Sequence, residues 1–266
     1  MNRVAVLIPH HNDPDGLRRS LRSIADDDPA DIVVVDDGSE DPPEAGQIRG
    51  WVHGEREVRL HVLPANLGIE AALNVGLDII VGAGYEFVAR LDCGDCNVGR
   101  RFAAQVEFLD ANPQILLVGA AAQFVDPGGK SLFVRRMPTT HSEIARFMRS
   151  NSAFMHPAVM FRTKALKRVG HYPTTFPAAE DYAFFWRFLE VGEVANLPQV
   201  LITYEVDPGS ISRSKRSVQL RSRLQVQALH NDGSWRARAG MVRTRALLLV
   251  PVKFIDAVKA RLYGQP

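Results

Sequence analysis

The chain of 266 residues is 46% hydrophobic and 23% charged, a globular composition that excludes wholesale disorder and low-complexity sequence. No segment reaches the ~18 apolar residues of a transmembrane helix, the apolar run at residues 4–8 is too short for a signal peptide, and two cysteines fit a reducing cytosol better than secretion. The net charge of +2 is uneven: residues 211–266 carry twelve Lys or Arg against Asp232 and Asp256, a balance of +10 that leaves −8 for residues 1–210.

In chain order, residues 4–8 read as a strand buried on both faces, because a short continuous apolar run bounded by turn residues has that pattern, and Pro9 ends it. Asp13 or Asp15 caps a helix over Leu17, Leu21 and Ile24. Residues 32–35 are a second strand, and Asp41-Pro42-Pro43-Glu44 opens a helix. Residues 58–63 alternate as a third strand. Pro64-Ala65-Asn66-Leu67-Gly68 then turns into a helix carrying Ala71, Ala72, Leu73, Val75 and Leu77. A fourth strand at 87–91 and a helix over Phe102, Val106, Phe108 and Leu109 lead to a fifth strand at 115–118. After Gly119 the rhythm loosens into a hairpin at 124–133, a short strand at 156–161, a helix at 179–191, extended chain at 201–204 and a helix at 213–229. Strands alternating with helices predict right-handed crossovers and a mostly parallel, Rossmann-like α/β sheet with helices on both faces. The expected division is a catalytic domain over 1–212, with a nucleotide-binding half (1–119) and an acceptor-side half (120–212), followed by a basic helical tail (213–266).

Three acidic constellations carry the chemistry. Asp36-Asp37-Gly38-Ser39 follows the second strand, where ligands collect in open α/β sheets; Asp-Gly is also ordinary turn chemistry. Asp92-Cys93-Gly94-Asp95 follows the fourth strand and offers hard oxygen ligands suited to Mg²⁺ or Mn²⁺. Carboxylates repel a bare pyrophosphate, so these clusters together imply a divalent cation between protein and a nucleotide-linked substrate. Glu180-Asp181 opens a helix, a favourable place for acids in any protein, and equally a place for a general base. Cys93-x-x-Cys96 lacks the second pair that a zinc site needs. His156 precedes a strand, where a structural role and one near the acceptor are both open, and His10-His11 follow the first strand near the expected base pocket.

The strand followed by Asp-Asp-Gly-Ser, the Asn66-Leu67-Gly68 turn, the Asp-x-Asp-like cluster and the Glu-Asp helix start occur in one order. In that order and spacing, residues 3–212 resemble the family 2 glycosyltransferases, the inverting GT-A class. The resemblance implies sugar transfer from a nucleotide diphosphate donor, with UDP the expected nucleotide and Mn²⁺ or Mg²⁺ the expected cofactor. It implies that Pro9, Asp37 and Asn66 line the nucleotide pocket and that Asp92 and Asp95 contact ribose and metal, with Asp95 favoured as the metal ligand. It also implies that Asp181 is the catalytic base, with Glu180 beside it orienting a hydroxyl. Two departures stand out. Gly94 replaces an acid of the metal motif, and Tyr204-Glu205-Val206-Asp207 stands where relatives carry Tyr-Arg-x-His, which puts Asp207 in the histidine's place as an oxygen ligand. The Gln-x-x-Arg-Trp stretch of processive synthases is absent, which favours single addition to a glycan or lipid-linked acceptor.

Residues 236–263 interleave Arg and Lys with apolar residues, which fits a helix lying on anionic lipid and equally a packed helix with a solvated basic face. A cytoplasmic enzyme, peripheral on the inner face of the membrane, is the corresponding expectation. No reader motif accompanies the charge, so nucleic acid is not an expected partner. A pyrophosphorylase would need a Gly-rich basic loop in place of His10-His11-Asn12-Asp13, and a dinucleotide oxidoreductase would need Gly-x-Gly-x-x-Gly there. A degenerate domain that binds sugar nucleotide or scaffolds a complex is the non-enzymatic alternative.

Overall fold

In the computed structural model, residues 2–206 and 215–250 are described. Nine strands form one mixed sheet in the order β3-β2-β1-β4-β8-β6-β9-β5, with β7 paired to β6. The first half is a run of βα units: β1 (Val4–His10), α1 (Pro14–Arg22), β2 (Asp31–Asp36), α2 (Ala45–Trp51), β3 (Val58–Val62), α3 (Ile69–Gly82) and β4 (Phe87–Arg90). β1, β2, β3 and β4 are mutually parallel where they pair. Alternate residues of these strands feed two cores. Ala5, Leu7, Val33, Val35 and Val88 pack against Leu73 and Leu77 of α3 and against an aromatic group led by Phe184, Phe185 and Phe188. Val4, Val6, Ile8, Ile32 and Val34 pack against Leu17 and Leu21 of α1 and Phe102 and Leu109 of α4 (Arg101–Ala111). Burial on both faces explains why these strands read as unbroken apolar runs.

The second half continues through β5 (Cys96–Asn97), β6 (Ile115–Val125), β7 (Ser131–Arg135), α5 (His141–Met148), β8 (Met160–Arg162), α6 (Leu166–Val169), α7 (Glu180–Val191) and β9 (Glu193–Glu205). The 124–133 hairpin forms as β6 and β7, closed by a turn in which the Gly129 N–H donates to the Asp126 carbonyl at 2.8 Å. Several elements differ from their sequence signals. β6 runs seven residues beyond the expected end at 118, because Gly119 and the three alanines after it are held between strands rather than by propensity. A Cβ on Gly119 would lie 2.1 Å from Asn196 Oδ1, so β9 passes close here. β9 begins eight residues before the expected 201, with Pro198 tolerated where the β6 register jumps from Leu197 to Val200. The strand expected at 156–161 is a 3-10 turn over His156–Ala158 followed by β8.

Two helices close the described chain: α8 (Arg216–Leu229) and α9 (Trp235–Leu249). α9 buries only small residues, Ala237, Gly240 and Thr244. A Cβ on Gly240 would sit 2.7 Å from Ser150 Cα. The contact is a close seat of the helix on the end of α5, and Trp235, Val242 and Leu249, seven residues apart, stay exposed. No helix among the described residues is long and apolar enough to cross a membrane. The rest of the predicted basic stretch, 251–263, lies outside the described residues.

Candidate active site

The chain leaves β1 for β2 on one side and, after β3, returns to β4 on the other, so the order reverses at β1. At such a switch point the carboxyl ends of the strands border a crevice. Pro9 at the end of β1, Asp36-Asp37 after β2 and Asp92 after β4 therefore share one rim. The structure brings these sequence-predicted residues together.

The two acids of the first cluster are held differently. Asp36 is fully buried and accepts from the Ser39 hydroxyl at 2.6 Å, the Ser39 N–H at 2.9 Å and His10 Nδ1 at 2.6 Å. His10 Nε2 accepts the Asp13 N–H, which leaves the proton on Nδ1 to face Asp36. Burial alone would raise the Asp36 pKa, but these donors outweigh it and lower it. Asp36 is thus a brace between strand ends. Asp37 sits on the rim and accepts the Leu67 N–H at 2.8 Å and the Gly68 N–H at 3.0 Å. Gly38, at φ +64°, makes that possible: a Cβ there would lie 2.2 Å from the Ala65 carbonyl carbon. Asn66 is exposed in the same turn, its Nδ2 2.9 Å from His11 Nε2.

The second cluster is a tight turn. The Asp95 N–H donates to the Asp92 carbonyl at 3.1 Å, and Ser20 Oγ bridges the Asp92 carbonyl and the Gly94 N–H. Gly94 has φ +97°, so the backbone itself disfavours an acid at this position. Asp92 Oδ1 lies 2.5 Å from Nη2 of Arg90, a guanidinium buried completely beneath it. Arg90 also donates to the Leu7 carbonyl and, from Nε, to His156 Nε2 at 3.4 Å, while the Tyr172 hydroxyl lies 3.0 Å from that nitrogen. Burial, and Arg90 nearby, push His156 down to about 3, so it is a neutral prop for Arg90. Asp95 is buried and accepts the Glu205 N–H at 3.1 Å, which ties the end of β9 to the turn. Burial and then the Asp92 charge raise its carboxyl well above the ordinary range. A second fully buried guanidinium, Arg101, donates to the Arg90 carbonyl at 2.5 Å and to Asn97 Oδ1 at 2.8 Å, and its charge reaches Asp95.

Two carboxylates from one turn, with the Asp92 charge opposing ionisation of Asp95, fit a hard cation that keeps open positions for phosphate oxygens. No group of three or more His, Cys, Asp and Glu among the described residues is arranged to hold a metal ion by itself, and Asp207 lies outside the described residues. The thiols of Cys93 and Cys96 are free, and burial raises both pKa values, against a redox role.

The third cluster faces this turn from α7. Asp181 is half-buried, with Oδ1 2.6 Å from the Tyr182 N–H, and the turn before it holds Ala178 at φ +59°, a conformation uncommon for alanine. Burial lifts Asp181 to about 6. Glu180 is buried, its Oε2 has no hydrogen-bond partner among the described residues, and burial followed by the Asp181 charge lifts it to about 8. Asp92 opposes ionisation of both, so the clusters share one electrostatic space. Tyr204 of β9 packs tilted against Phe124 with ring centroids 4.7 Å apart and feels Asp95, Asp92 and Asp181, which places it between the Asp92–Asp95 turn and α7. Arg223 of α8 is the cation that favours ionised Asp181. Sequence patterns missed Arg90, Arg101 and Arg223. The arginine that ends β4 two residues before an acid was the available signal for the first.

Comparisons with known proteins give the family and the fold. The family model described as Glycosyl transferase family 2 matches residues 5–170. The amylovoran biosynthesis glycosyltransferase AmsE of Erwinia amylovora is 28% identical over 263 residues, covering 95% of this chain and 96% of that protein. An Escherichia coli protein named UDP-Gal:alpha-D-GlcNAc-diphosphoundecaprenol beta-1,3-galactosyltransferase is 28% identical, covering 65% of this chain and 62% of that protein. Among solved structures, S. aureus TarS 1-349 in complex with UDP-GlcNAc superposes with a TM-score of 0.64 at 20% identity, covering 93% of this chain and 70% of that one. The mannosyltransferase PcManGT from Pyrobaculum calidifontis, in complex with GDP-Man and Mn2+, gives 0.62 at 19% identity, covering 99% and 81%. The fold is GT-A, and the chain belongs to glycosyl transferase family 2.

Proposed function

We propose that the enzyme transfers a hexosyl or N-acetylhexosaminyl group from a UDP-linked donor to a hydroxyl of a glycan or lipid-linked acceptor, with inversion, in the synthesis of an envelope or exported polysaccharide. The observation that carries this reading is the pairing of a strand-end acid turn with a separate carboxylate pair on α7 whose two members are raised unequally. At neutral pH Asp181, near 6, is ionised and Glu180, near 8, holds its proton. Asp181 removes the acceptor hydroxyl proton as the oxygen attacks the anomeric carbon. The bond to the diphosphate breaks in line, and UDP departs with the electron pair. Glu180, whose Oε2 has no hydrogen-bond partner among the described residues, orients a sugar hydroxyl. Pro9, Asp37 and Asn66 line the base pocket, and Asp92 contacts the ribose. Asp95, with Asp92 and Asp207, would hold a Mn²⁺ or Mg²⁺ ion, whose charge would offset that of the leaving diphosphate. The Mn2+ complex of PcManGT and the nucleotide sugars named with the relatives support this assignment.

The exposed face of α9, with Trp235, Val242 and Leu249 among Arg236, Arg238, Arg243 and Arg245, supports peripheral attachment to the cytoplasmic leaflet. The test is release of the nucleoside diphosphate, UDP or GDP, from a panel of UDP- and GDP-sugars with Mn²⁺. Metal-dependent release from one UDP-sugar is the expected result. Tight donor binding with no release would instead leave the chain a binding protein.

A further inference from the structure

The end of α5 and the first half of α9 border an open groove of about 210 Å³ lined by Arg146, Phe147, Ser150, Trp235, Arg236 and Arg243, with Ala239 and Gly240. Its lining contains three guanidinium groups and no carboxylate. Arg236 lies over the Trp235 ring at 4.8 Å, and Arg146 acts on the exposed Glu143 carboxylate through its charge, with no ion-pair contact from any of the three to a carboxylate among the described residues. Gly240 lets α9 seat against Ser150, and this close contact fixes the two elements that border the groove relative to each other.

The groove is joined to the catalytic side. The Tyr182 hydroxyl, next to Asp181, donates to the Met148 carbonyl at the end of α5, and Gln227 of α8 donates to the Ser150 carbonyl at 2.9 Å. One α-helical turn before Gln227 stands Arg223, close enough to both Asp181 and Arg243 for their charges to act on it. A series of arginines therefore leads from the groove, through Arg243 and Arg223, to the base.

We infer that this groove binds the phosphate or diphosphate group of the acceptor, which presents its hydroxyl to Asp181 while the donor diphosphate occupies the separate acid turn. A single carboxylate would match one guanidinium fork; three clustered guanidinium groups match a multiply charged phosphate ester. Phe147 and Trp235 supply the apolar wall that an alkyl chain on that phosphate needs. The assignment deepens the transferase reading and rests on it.

The probe is geranyl diphosphate, titrated into the full chain by calorimetry with saturating UDP and Mn²⁺ so that the donor site is filled. Geraniol is the uncharged control. The wild type is expected to bind the diphosphate and not geraniol. Arg236→Gln and Arg243→Gln should each weaken binding about tenfold, Arg243→Lys less, with UDP affinity and Tm unchanged. Equal binding by the Gln variants, equal binding of geraniol, or displacement of the probe by UDP would overturn the assignment. Failure of the wild type to bind UDP would count against the donor reading alone, because the arginine variants are compared on the geranyl probe.

Discussion

The Arg90 guanidinium, fully buried, holds the Asp92 carboxylate at 2.5 Å and at the same time caps the Leu7 carbonyl and His156. It converts an acid at a strand end into a fixed one. Arg90→Met should cost about 3 kcal/mol, the lower end for breaking a buried pair, because Asp92 itself is partly exposed. Urea unfolding measures this. Asp92→Asn keeps an acceptor for Arg90 but leaves the fully buried guanidinium without its counter-charge, so it should cost at least as much, about 3 kcal/mol, and weaken donor binding as well.

Gly38→Ala should cost more than a surface substitution. The new Cβ meets backbone at 2.2 Å and the residue keeps φ +64°. Either the 65–68 turn withdraws, releasing two N–H bonds from Asp37, or the loop strains, and a cost of about 2–4 kcal/mol follows. Donor affinity should fall with it. A variant with unchanged Tm and unchanged UDP affinity would show that the turn does not depend on this approach.

Glu180 makes stability depend on pH. Its folded value, about 8, lies above its ordinary value of 4.5, so between these pH values the folded state holds a proton that the unfolded state has released. Stability therefore falls as pH rises through that window, by about 1.4 kcal/mol per pH unit at the steepest. Glu180→Gln should flatten the slope and raise Tm at pH 8. Tm measured from pH 5 to 8.5 on both proteins is the check.

How much of this was legible in the sequence follows from where each signal resides. β1, β2 and β4 and their terminal acids Asp37, Asp92 and Asp95 are local patterns, and the α7 start at Glu180 is a local pattern too. α5 carries its own mark in the Thr140/Glu143 capping box, a signal that was available and unused. β6 past Gly119 and β9 before Leu201 are imposed by neighbouring strands, against propensity and across Pro198, so no window of residues reveals them. Arg223 meets Asp181 only through the packing of α8 on α7. A pattern within one helix cannot announce it.

Metal removal should separate donor binding from folding. With UDP present, Mn²⁺ should raise Tm and EDTA should reverse the rise, since a ligand bound to the folded state stabilises by mass action. Asp95→Asn should lose most of that shift while folding normally, because Asn at this position still accepts the Glu205 N–H. An undiminished Mn²⁺ shift in that variant would move the metal to other ligands.

The assignment of Asp181 as the base is tested most directly by kcat and donor affinity of Asp181→Asn against wild type across pH. In the variant kcat should fall by about 10²–10⁴ with UDP-sugar affinity within twofold. The wild-type rate should rise through a midpoint near 6, where Asp181 ionises. A variant that turns over at the wild-type rate, with the same acidic limb, would contradict the assignment.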